Sequence, residues 1–176
     1  MNSNIRTLAA STALVAGAVS AIAAQHPEMP AGMTHEQHQA QMKKDAEVKQ
    51  RGAAAMGFDQ DKTSHHFLLA SDGGSIAVGV TDPADSASRD QIRIHLKEIA
   101  GEFSRGRFDK PFATHNEMPP GVRTMQQRRK AIAFTYEETA VGARVRISTT
   151  DPQAKAAVQA FLRYQIREHA TGDPLQ

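Results

Sequence analysis

The 176 residues include no cysteine and no tryptophan. The first absence excludes disulfides, thiolate metal sites, iron–sulfur clusters, covalently attached haem and cysteine nucleophiles together. Neither sign of charge dominates, since 21 Lys and Arg stand against 19 Asp and Glu for a formal charge of +2. That balance excludes an acidic tail and a general nucleic-acid surface. The chain also lacks a phosphate-cradling glycine loop and a Gly-x-Ser-x-Gly elbow. Histidine, by contrast, is abundant: there are eight.

Residues 1–24 carry one charged side chain, Arg6, followed by the alanine-rich apolar run Leu8 to Ala24. A polar stretch, Gln25-His26-Pro27, comes next. This is the layout of a secretory signal peptide, with Ala21-Ile22-Ala23 meeting the small-x-small cleavage rule. The competing reading is a membrane anchor. The apolar core of about 17 residues falls short of the roughly 20 that span a bilayer, and Ser11, Thr12, Gly17 and Ser20 interrupt it. Cleavage after Ala23 or Ala24 predicts a secreted product, in a bacterial periplasm or outside the cell, with no later segment apolar enough to re-enter a membrane.

Three regions then follow. Residues 24–57 form a polar arm rich in His, Met and Gln, helical or disordered, where Thr34 and Gln37 make a capping box and Gly57 a stop. Residues 58–173 form an α+β domain. In it Ser64–Ala70 and Ser75–Thr81 read as strands about an Asp72-Gly73-Gly74 turn. Asp82-Pro83 is a helix-start signal, and Ile92, Leu96, Ile99 and Phe103 make one helical stripe. A second copy runs from strand Lys130–Tyr136 through Arg144–Thr149 to Asp151-Pro152 and a helix carrying Val158, Leu162 and Ile166. Two ββα units, 64–104 and 130–171, are thus expected on either side of a Pro-rich linker, 105–129. The predicted product is a two-layer sandwich: a four-stranded antiparallel sheet with two helices on one face.

The words Met56-Gly-Phe-Asp-Gln60, His65-His66-Phe67 and Ile92-Arg-Ile-His95-Leu96 resemble those of a group of small secreted bacterial proteins. The resemblance extends over roughly residues 56–173. It implies export and no particular activity.

Strand alternation puts His65 and His66 on opposite faces. The bulk of Phe67 and Leu69 turns His65 towards the helices and His66 towards the open face. His95 lies in the stripe of Ile92 and Ile99, and His169 follows Leu162 and Ile166 on the core side of the last helix. If the two units are related by a pseudo-dyad, the end of that helix returns to the start of the first strand. His169 then meets His65, with His95 about 13 Å further along its own helix. His115 in the linker is a further ligand candidate. Neutral imidazoles with a position open to water would make a metal site suited to zinc or copper. The competing reading is three half-buried core rings, His65, His95 and His169, bonded to backbone, with His115 a plain loop residue.

Two other surfaces compete. On the arm, His35, His38 and Met42 share a helical face, and thioethers favour Cu(I). His26 would stand third in a mature chain starting at Ala24, where an amine, two amides and an imidazole enclose a tetragonal ion. The alternative is a solvated low-complexity arm. On the open sheet face, Arg144 and Arg146 with His66, Ala77, Gly79, Ala131 and Ala133 offer a shallow basic surface. It suits a small anion, a protein partner or a second copy of the chain. The leading expectation is a secreted protein that binds or handles copper or a similar divalent ion. A non-metal binding module and a metal-assisted enzyme are the alternatives.

Overall fold

The computed structural model describes residues 32–176, so the expected export signal, its expected cleavage site and His26 lie outside the described residues. Among the described residues no helix is long and apolar enough to cross a membrane.

Helix α1 (His35–Met56) begins at the expected capping box, with Thr34 and Gln37 bonding each other's backbone, and ends on Gly57 in the left-handed conformation. Strands β1 (Thr63–Ala70) and β2 (Gly73–Val80) form a tight hairpin. Helix α2 (Ser86–Ser104) follows, and the linker folds into the short helices α3 (Asp109–His115) and α4 (Val122–Gln127). Strands β3 (Ala133–Thr139) and β4 (Gly142–Ser148) make a second hairpin before α5 (Pro152–Glu168). The sheet order is β1-β2-β4-β3, antiparallel throughout, and the helices cover one face. The protein is therefore an α+β two-layer sandwich built from two ββα units.

Three local expectations need correction. Helix α2 starts at Ser86 instead of Pro83, because Asp85 caps it through both the backbone N–H and the hydroxyl of Ser88. Asp82 instead closes a turn onto the N–H of Ala84. In the first hairpin Gly73 and Gly74 belong to the ladder. A Cβ on Gly74 would sit 2.3 Å from the Leu68 carbonyl oxygen and 2.4 Å from Leu162 Cδ1, so glycine there lets α5 close onto the sheet. Strand β3 begins only at Ala133, since Arg129–Ala131 form a 3-10 turn; Ala131 accordingly leaves the open face.

The apolar stripes behave as periodicity requires. Ile92, Leu96, Ile99 and Phe103 of α2 and Val158, Leu162 and Ile166 of α5 are buried against Val145 and Ile147 of β4. Phe103 stacks on Phe108 at 4.3 Å and meets Phe134 and Phe161 edge-on. Each helix crosses to the other unit's strands: α2 lies over β4 and β3, α5 over β2 and β1. The arm joins this body at its far end, where Val48 is buried and Met56 packs on the core.

Helix α4 starts at Gly121, whose φ of 85° is left-handed and whose added Cβ would fall 2.1 Å from the Ala157 carbonyl oxygen. Gly121→Ala is expected to cost at least about 1–2 kcal/mol, from the left-handed backbone alone. It should appear as a lower urea midpoint at unchanged slope; an unchanged midpoint would mean that α4 shifts freely on α5.

Candidate imidazole-lined site

The crossing of α5 over β1 carries the end of the last helix to the first strand. His169, the residue capping α5, stacks on His65 with ring centres 6.3 Å apart and an interplanar angle of 8°. His65 is there because it shares strand parity with the buried Phe67, which itself packs 5.4 Å from His169. His115 ends α3, where Asn116 stops the helix in the left-handed conformation. Its ring meets His169 edge-on at 5.0 Å and Tyr164 at 5.1 Å. His95 reaches the same place from the α2 stripe. The Phe58 ring packs against both, 5.6 Å from His95 and 5.9 Å from His65.

These four histidines line one cavity of about 70 Å³. Its remaining wall is largely apolar, from Phe67, Ile76, Leu96, Phe103 and Phe161, with Met56 of the arm and Lys110 and Thr114 of α3. Three of the elements that supply histidines are long secondary-structure elements. The fourth, α3, is held to the arm by the Arg51 guanidinium, which donates to the Thr114 carbonyl at 2.9 Å.

Burial dominates the electrostatics. It holds His65 down to about 4, helped by the nearby His95 and His66. It holds His95 to about 4, where Lys110 adds to the effect and Glu98 and Glu102 oppose it. His169 falls to about 3 by burial and by His115 and His65. His115 is lowered too, against the pull of its bond to Gln165 and of Glu168 and Glu117. All four rings are consequently neutral at neutral pH, the form in which imidazole coordinates a metal.

Hydrogen bonding leaves part of this set unsatisfied. His115 Nε2 is 3.0 Å from Gln165 Oε1, so with the amide in that orientation Nε2 carries the proton and Nδ1 holds a lone pair. His115 Nδ1, His65 Nε2 and the Gln165 amide nitrogen are all buried without a partner. An orphaned buried polar atom costs about 1–3 kcal/mol, which marks a cavity that a ligand would relieve. As the rings stand, no three His, Cys, Asp or Glu side chains among the described residues form a group able to hold a metal ion.

The remaining sequence candidates lie elsewhere. His35 and Met42 are exposed and His38 partly so, on the outer part of α1 and away from the cavity lining. On the open face Arg144 pairs with Glu137 and Arg146 with Asp72, so each guanidinium already faces a carboxylate. His66 Nδ1 lies 2.9 Å from Asp173, whose other oxygen accepts the Phe67 N–H. That carboxylate ties the C-terminal segment along the edge strand and satisfies one of its free donors.

Sequence reasoning passed over Gln165, Met56 and Phe58. Gln165 had a signal: it sits four residues after Phe161 and four before His169, a lone amide in an apolar helical row. Met56 and Phe58 flank the helix stop at Gly57, and nothing local marks Met56 as cavity lining or Phe58 as the ring that packs on His65 and His95.

Fold and site together define an α+β sandwich with an imidazole-lined cavity between its layers. Comparison with family models, with curated proteins and with solved structures finds no match.

Proposed function

We propose that this is an exported protein, of the bacterial periplasm or the extracellular space, that binds a transition-metal ion, copper foremost, in the imidazole-lined cavity. The observation that carries the reading is the meeting of His65, His95, His115 and His169, from four separate elements, around one cavity where two of their ring nitrogens lack partners. Coordination would convert those unsatisfied nitrogens into ligands. The ring torsion of histidine has a broad, two-fold well, so the imidazoles can turn towards an ion without leaving favourable rotamers. The arm, with His35, His38 and Met42 on its outer part, is suited to first capture. Export rests on the apolar leader of residues 1–23, and the resemblance to small secreted bacterial proteins agrees with it.

The test is a titration of metal-free protein with Cu(I), Cu(II) and Zn(II) against chromophoric chelators, with bound metal counted. At least one ion should bind more tightly than about 1 μM, and His65→Ala with His169→Ala together should weaken it at least about 100-fold, or ~2.7 kcal/mol. Circular dichroism of the variant reports that the fold persists. Weaker binding throughout, or binding indifferent to the two substitutions, would end the proposal for the cavity.

A further inference from the structure

The cavity's donor set is electrically neutral. Imidazoles, the Met56 thioether, the Thr114 hydroxyl and the Gln165 amide line it, and among the described residues lining it there is no carboxylate. The one charged lining residue is a cation, Lys110, whose ammonium is already paired with Glu98 and Glu102. An ion entering this space meets no charged ligand on the lining itself. The cost of holding a charge in apolar surroundings grows with its square, so a dication is penalised far more than a monocation.

Coordination number points the same way. Zinc sites are closed by four ligands or by three and a water, and Cu(II) favours a tetragonal plane. Here the rings associate in pairs, His65 with His169 and His115 with His169, without a formed group of three. A soft, closed-shell monocation is satisfied by two or three neutral nitrogen and sulfur donors, and thioether sulfur selects Cu(I).

Resting on the reading that the cavity is a metal site, we infer that its preferred occupant is monovalent copper, taken by two or three of the neutral donors His65, His115, His169 and Met56, in preference to Cu(II) or Zn(II). Binding of this kind also stabilises the reduced ion over the oxidised one, so copper held there is kept as Cu(I).

The experiment uses the full chain carrying H26A, H35A, H38A, H66A and M42L, which leaves the four cavity histidines as the only ones in the chain. Cu(I) is titrated without oxygen against bicinchoninate, and Zn(II) and Cu(II) against their own chelators. Cu(I) should bind at least about 100-fold more tightly than either dication, and adding His169→Ala should remove that preference. A dication bound as tightly as Cu(I), or more tightly, overturns the inference and leaves the cavity a metal site. Failure of all three ions to bind overturns the metal reading itself.

Discussion

Lowering the pH from 7 to 5 is expected to remove about 6 kcal/mol of stability through three rings alone, since one pKa unit is worth 1.36 kcal/mol. The folded values of His65 and His95 lie at about 4 and that of His169 at about 3, against an ordinary value of 6.5. The sign follows directly. Below pH 6.5 the unfolded chain takes up protons that the folded rings refuse, so the stability present above 6.5 drains away as the pH falls towards 4 and 3. His115, lowered by the same burial, adds to the loss. Domains of this size are stable by only about 5–15 kcal/mol, so acid unfolding should begin near pH 5. Urea midpoints at pH 7, 6 and 5 measure it. Replacing His65 or His169 by Phe should flatten the profile by about 2 kcal/mol for each ring removed. A midpoint constant between pH 7 and 5 would show that the rings are hydrated.

Metal should reverse this sensitivity. A ligand bound only by the folded state at 1,000 times its Kd adds about 4.1 kcal/mol to unfolding. For a domain of this length that is a rise in Tm of about 10–15 °C. The gain should persist at pH 5. A solvated imidazole is largely protonated there, whereas His65, His95 and His169, with values of about 4, 4 and 3, still offer lone pairs. Thermal melts with and without Cu(I), under anaerobic conditions at pH 7 and 5, give the result. Equal melting temperatures with and without metal would remove the cavity as the site of binding. An affinity lost in the variant lacking His35, His38 and Met42 and kept in His65→Ala with His169→Ala would place the metal on the arm instead.

Local rules account for much of this molecule. Alternation along β1 turned His65 inward and His66 outward, because successive strand residues face opposite ways whatever the fold. The 3.6-residue period put Ile92, His95, Leu96 and Ile99 on one buried stripe of α2. The arm's helix begins at Thr34 and ends at Gly57 because both caps are made within a few residues of chain. Element boundaries were less secure where two local signals competed, as Asp82 and Asp85 did for the start of α2.

By itself, then, the sequence determined which elements form, which faces they bury, and that histidines would point inward from several of them. Only the tertiary structure decided that four of those rings share one cavity. That outcome depends on α5 crossing to β1, on α3 docking at the arm, and on Phe58 standing between His65 and His95. Periodicity specifies a direction about one element's own axis and says nothing about how far apart two elements lie. Those separations come from the packing of Phe103, Phe161 and Leu162 across the two layers, where glycine at 74 lets α5 close onto the sheet.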